Sequence, residues 1–97
     1  MFEIIKMVIK KSTVKKMLEK LNVNMEILSI DDIIEGIKVE LEHGKKYKKT
    51  NITDNNLLKT LKIALVHFDE CGPDYYNKLI LMEEKLKKKW KNKTIFL

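Results

Sequence analysis

Apolar residues in this chain return at helical intervals, and no stretch requires a strand, so the periodicity sets the fold class before composition is consulted. Ile30, Ile33, Ile34, Ile37 and Leu41 lie on one side of a helix that runs from Ser29 toward Gly44. Ser29 followed three residues later by Asp32 resembles a capping box, and Gly44 suits the residue just past a helix end. Val14, Met17, Leu18 and Leu21 make a shorter stripe that Ser12 or Thr13 would cap. Leu57, Leu58, Leu61, Ala64, Leu65 and Phe68 make another, with Asn55 or Asn56 placed to cap it and Ile63 and Val66 on a second side. A helix with two apolar sides is expected to touch something on both.

Cys71-Gly72-Pro73 should end that helix and start the next, on which Tyr75, Leu79, Met82, Leu86 and Trp90 mark the face expected to be buried. Residues 45 to 56, rich in Lys, Thr and Asn, read as the one long loop, residues 2 to 10 as a separate N-terminal helix, and Thr94 to Leu97 as a docked tail. With 97 residues there is material for one hydrophobic core. The expected fold is all-α: a single helical domain over 1–97, made of three principal helices with one or two short N-terminal ones.

All 20 basic residues are lysine. Arginine supplies the planar fork that reads guanine edges and clamps phosphates, so sequence-specific DNA recognition is not expected. The net charge of +6 is uneven: residues 1 to 25 carry +4, residues 26 to 84 carry −4, and the last thirteen carry +6. Lysine abundance beside many isoleucines and asparagines also fits drift in an AT-rich genome. Cys71 is the sole cysteine, which excludes an intrachain disulfide and points to a reducing, cytoplasmic compartment. The opening residues do not read as a signal peptide, and no apolar run approaches a transmembrane length. The sequons at Asn51 and Asn92 are read as accidents of composition.

Two histidines stand one helical turn from a carboxylate: Glu40 with His43, and His67 with Glu70 in reverse order. Glu83 falls on the apolar side of the last helix, where a carboxylate needs a donor or a cation. Glu40, His43, His67, Glu70 and Glu83 are therefore the candidate metal ligands, since Glu-x-x-His pairs on facing helices build iron and manganese sites in bundles. The pattern is incomplete for a di-iron site, and a hydrogen-bonded core network of His43, His67, Asp74, Tyr75, Tyr76 and Glu83 accounts for the same residues. Cys71, with His67 four residues earlier, lies in no motif for nucleophilic catalysis, so no catalytic residue is assigned. Gly36, Gly44 and Gly72 are too far apart to form a phosphate loop. Lys85, Lys87, Lys88, Lys89, Lys91 and Lys93 around Trp90 could grip phosphates or an anionic membrane, or simply solvate a helix end and complement its dipole.

Several blocks resemble a family catalogued as domain of unknown function 5661, known from bacteria, phages and large DNA viruses. They are Leu18-Glu-Lys-Leu-Asn-Val23, Gly36-Ile-Lys-Val-Glu-Leu-Glu-His-Gly44, Thr50-Asn-Ile-Thr-Asp54, Lys62-Ile-Ala-Leu-Val-His67, Pro73-Asp-Tyr-Tyr76 and Leu81-Met-Glu83, spanning about residues 12 to 84. The resemblance implies that Glu40, Glu42, His43, His67, Asp74, Tyr75, Tyr76 and Glu83 belong to the shared pattern, that the lysine-rich ends do not, and that a viral origin fits. The chain departs from the pattern at Cys71-Gly72 and at Asn55-Asn56-Leu57, which weakens a role for Cys71.

Three readings follow. The first is a non-enzymatic module that needs no cofactor and acts through a protein partner or as a homo-oligomer, in a host-cell cytoplasm or a virion if viral. The second is a protein binding a divalent transition metal. The third is a weak, non-specific contact with nucleic acid or an anionic surface through the lysine-rich ends, with no transmembrane segment.

Overall fold

A computed structural model describes residues 9–46, 49, 56–91 and 93–96, with the backbone alone at 44 and 45. Four helices follow one another: α1 (Lys11–Lys20), α2 (Ile30–Lys46), α3 (Leu57–Cys71) and α4 (Tyr75–Trp90). Among the described residues there is no strand. The fold is all-α, as the periodicity requires.

Local chemistry sets most of the boundaries. The Ser29 hydroxyl accepts the Asp32 N–H at 3.0 Å to begin α2, and the Asn56 side chain accepts the Lys59 N–H at 2.9 Å to begin α3. Gly72 ends α3 at φ +85, a conformation that costs a side chain strain, and its N–H reaches the Phe68 carbonyl at 2.8 Å. α1 ends on a Schellman motif in which Asn22 takes φ +55, its N–H bonding Glu19 and the Val23 N–H bonding Leu18. Two boundaries differ from expectation. α1 is capped at Lys10 with no side-chain hydrogen bond, so Ser12 and Thr13 lie inside its first turn. α2 passes Gly44 and continues to Lys46, so the loop expected over 45–56 does not begin at 45, and the rest of that stretch lies outside the described residues except 49 and 56.

α2 is the hub: it packs most extensively on α3 and also touches α1 and α4. Val14 and Leu18 from α1, Ile33, Ile37, Val39 and Leu41 from α2, Leu61, Ala64 and Phe68 from α3 and Tyr76 from α4 form one buried core. Thr60 is buried with them because its hydroxyl donates to the Asn56 carbonyl at 2.7 Å. Ile34 is only partly buried, while Val39, outside the expected stripe, is buried. Gly36 has a packing role: a Cβ there would lie 2.7 Å from Tyr76 Cε2 and 3.2 Å from Phe68 Cε2.

The buried face expected for the last helix holds only over its first turns. Tyr76 is buried and Tyr75 and Leu79 pack against the core, but Met82, Leu86 and Trp90 are all about half exposed. Sixteen residues of helix extend about 24 Å, and α4 outruns the core it packs on. In the tail expected over 94–97, Ile95 is 79% and Phe96 41% exposed, and Leu97 lies outside the described residues. The N-terminal helix expected over 2–10 falls on residues outside the described ones except Ile9 and Lys10, which are not helical.

Candidate functional site

The cluster is built where α2, α3 and α4 meet. Its centre is Glu40 on α2. The Tyr76 hydroxyl, from α4, donates to Glu40 Oε2 at 2.8 Å, and His67 Nε2, from α3, lies 3.6 Å from the same oxygen. His43, one turn along α2, faces Glu83 of α4 at 3.8 Å. These two imidazole distances exceed a hydrogen bond, so each is a charge pairing only when the ring is protonated. The one-turn spacings of the sequence thus do not give the pairs; each histidine meets a carboxylate from another helix.

Aromatic rings frame the carboxylate. His67 stacks on Tyr75 with centroids 4.6 Å apart and planes 5° from parallel. Tyr76 stands edge-on to Tyr75, Phe68 and His67, at 4.8, 5.3 and 6.1 Å. Such contacts fix ring orientation beyond what area burial alone would supply. Glu40 is mostly buried, whereas His67 is one-third and His43 nearly half exposed. The assembly is therefore sealed at Tyr76 and open to solvent along the His67 and His43 side. Among the described residues no buried side-chain polar atom lacks a hydrogen-bond partner.

Of the residues singled out in the sequence, Glu40, His43, His67, Tyr75, Tyr76 and Glu83 come together. Glu70 is exposed at the end of α3, and its charge is felt by the Tyr75 ring. Asp74, expected in the core network, is exposed and makes no side-chain cap bond to α4. Among the described residues no group of three or more His, Cys, Asp or Glu is placed to hold a metal ion. Cys71 is an exposed free thiol, and His67 faces Glu40 and Tyr75. Lys85, Lys87, Lys88, Lys89, Trp90, Lys91 and Lys93 are all exposed, with Lys93 Nζ 5.6 Å from the centre of the Trp90 ring.

Burial, the hydrogen bond to Glu40 and the Glu40 charge, in that order, raise the Tyr76 phenol well above its ordinary value near 10. Burial first, then Glu40, Cys71, Glu83 and Glu70, raise Tyr75 in the same direction. A folded-state phenol that holds its proton longer than the unfolded one stabilises the fold fully below about pH 10, and this contribution falls as pH rises further. Tyr76 should add up to about 1.4 kcal/mol of lost stability per pH unit in that window. Urea midpoints between pH 8 and 11.5 should therefore fall more steeply above pH 10 in the wild type than in Tyr76→Phe; parallel curves would contradict the assignment.

A family model described as a protein of unknown function (DUF5661) matches residues 14–85. That segment contains every member of the cluster and stops short of Lys87 to Lys93. No curated protein and no solved structure matches the chain.

Proposed function

The chain belongs to the DUF5661 family, and from the side chains its matched segment brings together we propose a non-enzymatic helical module that acts through protein contacts. The observation that carries this reading is the commitment of Glu40, the central acid of the cluster. It accepts from Tyr76 and faces His67, tying α2 to both α3 and α4. A carboxylate held this way supports helix register, as satisfied polar networks do.

The open side of the cluster is the contact face. Val66 is 56% exposed on α3, Ile63 is partly buried beside it, and the His67–Tyr75 stack continues the surface. Rigid aromatic groups next to an exposed apolar side chain are the composition of binding surfaces. The partner is either a second copy or another protein.

Capture from an extract of source cells, with the chain alone analysed in parallel by light scattering, tests this. The expected result is a retained protein or a dimer that survives Lys16→Asp at an exposed position of α1 and is lost with Val66→Asp. Both substitutions are on the surface and should leave the thermal transition within about 0.5 kcal/mol of wild type. Equal retention by all three proteins, or a monomer that retains nothing, contradicts the reading.

A further inference from the structure

We infer that the overhanging half of α4 is a docking site for an anionic lipid surface, on which it lies with its apolar stripe inserted. This is independent of the contact face on α3. Met82, Leu86 and Trp90 continue the line of Tyr75 and Leu79, yet they are 51, 54 and 53% exposed because α4 has left the core behind. At about 100° per residue, Lys85 and Lys89 flank the stripe on one side and Lys87 on the other. Ile95 adds one more exposed apolar side chain just past the helix end.

Charge complementarity selects the occupant. From Lys85 to the last residue there are six lysines and no acid. Lysine is a hydrated point charge on a long apolar stem, which suits a diffuse field of lipid phosphates better than a bidentate pocket. Clustered lysines beside an anionic leaflet each add to its attraction, and tryptophan favours the interface between headgroups and acyl chains. A nucleic acid would use the lysines and stack on Trp90, but it would leave Met82, Leu86 and Ile95 without a role. A helix with a lysine-flanked apolar stripe lies in the interface plane. Among the described residues no helix is long and apolar enough to cross a membrane, so contact is with one leaflet.

Trp90 is the only tryptophan, so its fluorescence reports the site directly. The full chain is titrated with vesicles of phosphatidylcholine alone, with vesicles containing one-third phosphatidylserine, and with single-stranded DNA. The expected result is a blue shift of Trp90 with anionic vesicles only, at least tenfold tighter than with neutral ones, together with quenching by lipids brominated along the acyl chain. Leu86→Asp should abolish insertion, and the Lys85→Gln, Lys87→Gln, Lys89→Gln triple variant should weaken binding at least tenfold. All of these positions are exposed, and circular dichroism confirms that each variant is folded. No shift with anionic vesicles, binding without acyl-chain quenching, insertion that survives Leu86→Asp, or binding to DNA alone would each overturn the inference.

Discussion

Gly36→Leu is expected to abolish the cooperative fold, and Gly36→Ala to lower stability by about 1–2 kcal/mol. In an exposed helix interior the same Gly-to-Ala change would stabilise by about 1 kcal/mol. Here the added Cβ would meet Tyr76 Cε2 at 2.7 Å and Cδ2 at 3.0 Å, with Phe68 Cε2 at 3.2 Å. Relief requires the Tyr76 ring to move, but that ring is 2% exposed, packs edge-on against Tyr75 and Phe68, and is tied by its hydroxyl to Glu40. Overpacking a fixed core typically costs about 1–3 kcal/mol, which outweighs the gain in propensity. Leucine adds three further carbons to the same space, and a domain of this size holds only about 5–15 kcal/mol in total. Urea unfolding followed by circular dichroism measures both variants; a Gly36→Ala protein more stable than wild type would show that the ring yields.

Glu40→Ala should cost about 2–3 kcal/mol, and Glu40→Gln less than half of that. The alanine removes the acceptor of the Tyr76 hydroxyl in a site where that residue is nearly sealed from water. An unsatisfied buried donor costs about 1–3 kcal/mol, and losing a hydrogen bond to a charged acceptor places the effect in the upper part of that range. His67 loses its facing carboxylate as well, but it is one-third exposed and water can replace that contact. Glutamine keeps an oxygen within reach of the tyrosine and nearly the same volume, so the difference between the two variants separates the hydrogen bond and its packing from the charge. Equal losses for alanine and glutamine would assign the role to charge, not to hydrogen bonding.

How much of this was legible depended on whether the cause was local. Ser29, Asn56 and Gly72 act on backbone groups within four residues, and their sequence context predicts what they do. Asn22 in a left-handed conformation is equally local, but asparagine is common in this chain and only the end of α1 gives this one its meaning. Met82, Leu86 and Trp90 repeat the apolar period of Tyr75 and Leu79 faithfully; periodicity states which side of a helix is apolar, not where the neighbouring helices stop. The cluster was legible as a set of residues but not as a set of pairs. One-turn spacing suggests Glu40 with His43 and His67 with Glu70, whereas crossing of α2, α3 and α4 joins Glu40 to His67 and Tyr76, and His43 to Glu83. Glu40 and Tyr76 lie 36 positions apart, and nothing in local sequence encodes that meeting. Gly36 is likewise a close approach that becomes visible only when Tyr76 is in place against it.

The most direct test of the central claim, that Glu40 and Tyr76 form a structural tie between α2 and α4, is a double-mutant cycle of Glu40→Ala and Tyr76→Phe measured by urea unfolding at pH 7, with and without a chelator. The account predicts that the double variant loses less than the sum of the single losses, with a coupling of about 1 kcal/mol or more, and that the chelator moves none of the four midpoints. Additive losses, or a wild-type midpoint that falls on removal of a divalent transition metal as linkage requires of a metal-stabilised fold, would contradict it.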